Sequence, residues 1–69
     1  MRYFIFFYSY TTTFKEGMGN FPVENFRIPA RSLLLLWASE QSGIPPKNIA
    51  ITNWIEFNNK EDFHNYFEK

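Results

Sequence analysis

The chain has no cysteine, so no disulfide can staple it and no thiolate can ligate a metal or attack a substrate. Its single histidine, His64, leaves no Cys/His cluster of zinc-site spacing, and no metal is expected. Glycine is scarce, and none lies in a phosphate-binding G-x-x-x-x-G-K-[ST] loop. Charge of one sign is lacking too. Seven Lys and Arg balance seven Asp and Glu, which argues against gripping a phosphate backbone by counterion release alone. Beyond the N-terminus the longest apolar run, LLLLWA, is far below the ~20 residues of a membrane-spanning helix. Met1-Arg2 before an apolar stretch has the outline of a signal peptide, but that stretch carries Tyr and Ser and has no small-residue cleavage site. A soluble, cytoplasmic chain without a membrane partner is expected.

What the chain has in excess is aromatic rings, 22% of its 69 residues, with seven of them between Tyr3 and Phe14. A single domain, residues 1–69, is all this length allows, and a domain so small buries only about 60% of its unfolded surface. Without disulfides or a metal, stability has to come from dense packing or association. A ring-rich core continuing into an interface, and a homodimer, are therefore expected. The charges are unevenly spread: the first half is weakly positive, through Arg2, Lys15, Arg27 and Arg31, and the second weakly negative.

Residues 2–11 have the composition of a strand, with Tyr3, Ile5, Phe7, Ser9 and Thr11 on one face and Phe4, Phe6, Tyr8 and Tyr10 on the other. Neither face is polar, which predicts the sheet centre. Gly17, Gly19 and Asn20 predict a loop that uses positive φ, leading to a return strand over 21–26 that Pro22 confines to an edge. PARSLLLLWASEQS, residues 29–42, reads as a helix, closed by Gly43 and barred from continuing by Pro45 and Pro46. Its core stripe is predicted as Ala30, Leu33, Leu34, Trp37 and Ala38, with Leu35 and Leu36 at its margins or facing another molecule. In KNIAITNWIEF, strict alternation places Ile49, Ile51, Asn53, Ile55 and Phe57 under that helix and Trp54 and Glu56 on the other side. Asn59 is a candidate N-cap for a short terminal helix that presents Phe63, Tyr66 and Phe67. The fold class is α+β: a small sheet of three strands in ββαβ order, one main helix packed on it, and a short C-terminal helix.

No constellation carries catalysis. His64 reads as an exposed helix residue, the serines lack a nucleophile-elbow context, and nothing marks an apolar pocket around Glu24 or Glu56. No catalytic residue and no cofactor is assigned, and the chain is read as a non-enzyme. Tyr, Trp, Phe and Arg are the residue types that interfaces enrich. A protein-binding surface of Tyr8, Tyr10, Trp54, Arg27 and Arg31 is therefore expected. The alternative is binding of a nucleotide or single-stranded RNA, by stacking on the same rings with the arginines on phosphate.

The pattern YSYTT, then GMGN, then NWIEF resembles short proteins encoded by bacteriophages and prophages. The resemblance implies a non-enzymatic accessory role, in which the protein occludes a host target such as a CRISPR or cyclic-nucleotide defence component. It assigns no functional residue.

Overall fold

In the computed structural model, which describes residues 1–67 and side chains through Tyr66, strand β1 (Arg2–Thr11) is central. It pairs antiparallel with β2 (Glu16–Asn25) on one side and β3 (Ile49–Phe57) on the other, giving the order β2-β1-β3. Helix α1 (Arg31–Ser42) crosses between the two edge strands, which run parallel to each other, so β2, α1 and β3 make a split β-α-β unit around β1. A single 3-10 turn, Pro46–Asn48, leads into β3, and α2 (Lys60–Phe67) ends the described chain. The fold is α+β in ββαβ order with a terminal helix, as the sequence predicts.

The hairpin differs from expectation. The chain reverses at Thr13–Phe14, not at the glycines, and β2 is ten residues long. Thr12 holds the turn: its N–H donates to the Lys15 carbonyl at 2.7 Å, and its Oγ1 accepts from the Lys15 N–H at 3.0 Å. Gly17 and Gly19 are ordinary strand residues, and among the described residues only Gly43 has positive φ. What they supply is space. Gly17 pairs with Tyr10 and Gly19 with Tyr8, and each tyrosine ring lies across its glycine. A Cβ on Gly19 would stand 2.5 Å from the Tyr8 hydroxyl and 2.6 Å from Cζ, and one on Gly17 would meet Tyr10 in the same way.

The core forms between α1 and one sheet face. Phe4, Phe6 and Tyr8 meet Phe21 and Val23 from β2, Leu34 and Ala38 from α1, and Ile44 and Ile49 beyond it. Gly43, at φ 74°, closes α1 by donating its N–H to Ser39. The stripe is rotated from the predicted one. Leu34, Ala38, Trp37 and Leu35 pack inward, while Ala30, Leu33 and Leu36 are exposed.

Strict alternation also fails in β3. Phe7 pairs with Asn53 but Tyr8 pairs with Ile51, so Thr52 is an extra residue in a β-bulge. Its Oγ1 donates to the Phe7 carbonyl at 3.2 Å. One inserted residue inverts the phase: Ile49 and Ile51 face α1, and beyond the bulge Trp54 and Glu56 share that face while Asn53, Ile55 and Phe57 point away. The opposite face is covered at one end by α2, which the Asn59 side chain caps by accepting from the Asp62 N–H at 2.9 Å. Phe63 is buried against Tyr3 and Phe57, with ring centroids 5.3 and 5.7 Å away. Ile5, on the same face, is fully buried. The Phe67 side chain predicted for this stripe lies outside the described residues.

The two glycines make a graded test. Gly19→Ala is expected to lower stability in urea unfolding by about 1–3 kcal/mol, the usual cost of overpacking a filled site, because the buried Tyr8 ring has nowhere to go. Gly17→Ala should cost less, since half-buried Tyr10 can swing toward solvent. Equal and negligible losses would show that ring clearance is not why glycine stands there.

Candidate functional site

Three of the five expected contact residues come together. Trp54 on β3 and Arg31 at the start of α1 line one groove of about 210 Å³, floored by Phe6, Leu34 and Ile51 and walled by Ile28 and Pro29. Arg27 lies in an adjoining recess that shares Ile28 and Pro29 and is bordered by Leu33. Both features follow from local chemistry. Pro29 is buried and anchors the connection from β2, so Ile28 lies beside Trp54. The bulge at Thr52 turns Trp54 onto the α1 face, where its ring stands 6.2 Å from that of Phe6 yet stays 51% exposed at the rim.

The two tyrosines do not join them. Tyr8, expected on the contact surface, is 3% exposed and belongs to the core, because the cross-strand glycine lets its ring lie down over β2. Burial raises its hydroxyl pKa, and nearby Tyr10 adds to the rise. Tyr10 is half-buried at the hairpin end of the sheet, paired with Ile49, four residues along β1 from the Phe6–Trp54 pair. Ile28 and Leu33, which reasoning from sequence left out of the site, complete its apolar lining. The only signal for Ile28 was an aliphatic side chain next to Arg27, at a connection where solvated residues are the norm, and Leu33 read as part of the core stripe of α1.

The charge of the site is simple. Among the described residues no carboxylate lines either the groove or the recess, whereas Arg31 and Arg27 each contribute a guanidinium. The acid nearest along β3 on that face, Glu56, is engaged elsewhere: Arg2 donates from Nε to Oε2 and from Nη2 to Oε1, both at 2.8 Å, and lies over the Phe4 ring. Arg2–Glu56 is the one ion pair found among the described residues. A guanidinium, an indole and aliphatic side chains can hold an anionic group beside an apolar one; they include no general base and no nucleophile. His64 stands apart on α2, its ring edge-on to Phe63. Among the described residues, no group of His, Cys, Asp and Glu is arranged to hold a metal, and no helix is long and apolar enough to cross a membrane.

The other edge contrasts with this one. A groove of about 350 Å³ lies beside β2 between Trp37 and Pro22, but its charged residue is Glu24 and Pro22 has no N–H to offer a partner strand. β3 carries no proline, glycine or lysine between Ile49 and Phe57.

The chain matches no protein-family model, and neither the curated proteins nor the solved structures contain a match to it.

The Arg2 hydrogen bonds, with the positive charge adding to them, hold the Glu56 carboxyl below its ordinary 4.5. A depressed carboxyl stabilises the fold above its unfolded value and ceases to as the pH falls through the folded one. The wild type is therefore expected to melt above Glu56→Gln at pH 7, with the gap closing below pH 4.5 and shrinking in high salt. A gap that persists undiminished at acid pH would show that the pair does not act through charge.

Proposed function

We propose that the protein is a small non-enzymatic binding module whose contact surface is the Trp54 groove together with Arg31, Arg27 and the exposed edge of β3. The observation that carries this reading is the exposed indole at the rim of an apolar, arginine-bordered groove. Trp and Arg dominate the energetic centres of protein interfaces, and a large ring left half in water recovers free energy when a partner covers it. Exposed Ile28 and Leu33 add apolar area around that part of the surface. The rings of β1 no longer argue for a partner, since α1, β2 and α2 cover most of them within the chain. The likeness of YSYTT, GMGN and NWIEF to phage-encoded proteins makes the target a host protein. The module would then be an inhibitor, carried by a phage or mobile element, that occludes a component of bacterial defence.

A second reading has its own support in the same groove. Trp54 can stack a base while Arg31 takes a phosphate, which suits a nucleotide or one base of single-stranded RNA. The zero net charge weighs against a long polymer.

Both readings meet one experiment. Immobilised protein is presented to bacterial lysate beside Trp54→Ala and Arg31→Glu, each shown to be folded by circular dichroism. A specific protein should be captured by the wild type and lost from both variants, with Trp54→Ala weakening it about 30-fold or more, as at an interface hot spot. Unchanged capture by folded variants would remove the groove from the reading. Variants that lose only affinity for short RNA or cyclic dinucleotides would put the nucleotide reading in its place.

A further inference from the structure

The two sheet edges are chemically unlike, and that difference points to how a partner docks. β2 is interrupted by Pro22 and bordered by Glu16 and Glu24, the devices with which proteins blunt an edge. β3 has no proline, its one charged residue, Glu56, is held by Arg2, and apart from the bulge at Thr52 nothing blunts it; residues Thr52 to Glu56 are all exposed. Alternate residues there direct N–H and C=O away from β1, a row of donors and acceptors open to a further strand. The Trp54 groove lies directly inside this edge, on the α1 face, with Arg31 in its lining and Arg27 in the next recess.

Resting on the protein-binding reading above, we infer that the β3 edge takes an extended acidic segment of a partner protein as a fourth strand. An apolar side chain of that segment enters beside Trp54 and Ile28, and a carboxylate two residues away meets Arg31. Charge complementarity selects this occupant. Arg31 lines the groove and Arg27 the adjoining recess, no carboxylate of the described residues lines either, and Glu56 is held by Arg2, so the surface offers positive charge to an anionic partner. Strand geometry then fixes the spacing. Side chains alternate between faces, so only every second residue of the added strand points to the α1 side. The recognised pattern is an apolar residue with a carboxylate two residues away, and a peptide with carboxylates at i and i+4 about an apolar i+2 presents it in either strand direction. Main-chain pairing supplies affinity and the groove supplies choice, as in strand addition generally.

The spacing makes the inference testable without changing charge or composition. Fluorescein-labelled nine-residue peptides are titrated against the whole protein by anisotropy. One carries Glu, Phe and Glu at i, i+2 and i+4, with Thr and Ser elsewhere. An isomer moves both Glu to i+1 and i+3, a third peptide replaces Glu by Lys, and a fourth is N-methylated at alternate amides. The first should bind best. The isomer and the Lys peptide should each be weaker by about tenfold or more, the effect of losing charge-assisted hydrogen bonds, and N-methylation on the pairing side should abolish binding. In Arg31→Glu the preference between Glu and Lys peptides should narrow or reverse, a change that an unfolded variant cannot produce. Amide exchange of the outward N–H groups of β3 should slow when the first peptide is bound.

Equal binding of the two isomers would overturn strand addition, as would β3 amides that stay unprotected. Failure of all four peptides while lysate capture through Trp54 persists would sink the strand mode and leave the protein-binding reading standing; loss of both would sink the two together. Protection of the β3 amides by the protein alone, rising with its concentration, would give the edge to a second copy of this chain and overturn the inference. So would short RNA that binds more tightly than the first peptide and displaces it.

Discussion

A central strand with no polar face has to be covered twice, and the remainder of this small fold is arranged around that requirement. β1 sends Phe4, Phe6 and Tyr8 toward α1 and Tyr3, Ile5 and Phe7 the other way. Helix α1 with Phe21 and Val23 closes the first side. α2, with Phe63 lodged against Tyr3 and Phe57, closes one end of the second. Rings pack on rings throughout: Phe6 stacks on Phe21 at 5.9 Å, and Phe21 meets Trp37 edge-on at 6.4 Å. Such contacts add to the apolar area that each ring buries, which is how so short a chain stabilises itself without disulfides.

Close packing of large rings demands small neighbours. Gly17 and Gly19 meet that demand in β2, where Tyr8 and Tyr10 lie across them. A glycine in a strand weakens it by itself, and here a ring covers the exposed backbone in compensation. The consequence reaches the surface. With its ring laid over Gly19, Tyr8 joins the core and leaves the outward-facing aromatic role to Trp54 on the other side of β1.

The bulge at Thr52 has the opposite effect at the other edge. Without it, alternation would keep Ile49, Ile51, Ile55 and Phe57 on one face; with it, β3 serves α1 with its first half and α2 with its second. Phe57 thereby reaches the Phe63 cluster, and Trp54 moves to the rim of the α1 face beside Ile28 and Arg31. One extra residue thus completes the second core and creates the groove. The Arg2–Glu56 pair ties the N-terminus of β1 to the C-terminal part of β3 and keeps the neighbouring carboxylate away from Arg31.

Sequence by itself determined the elements that local chemistry dictates. Two apolar faces placed Arg2–Thr11 at the sheet centre, Pro22 assigned its strand to an edge, Gly43 ended α1, and Asn59 capped α2. Each of these signals acts within one turn or one strand, so composition and spacing suffice to read it. Only the tertiary structure decided the roles of Gly17 and Gly19, the rotation of the α1 stripe, and the change of face within β3. Those depend on what stands across the sheet or under the helix: a tyrosine opposite a glycine, a core that selects Leu34 and Ala38 over Leu33, a bulge set by pairing with Phe7 and Tyr8. The same division runs through the candidate site. Trp54, Arg27 and Arg31 were legible as interface residue types, but the meeting of Trp54 and Arg31 in one groove, with Arg27 in the recess next to it and Tyr8 withdrawn into the core, arises from contacts between residues distant along the chain.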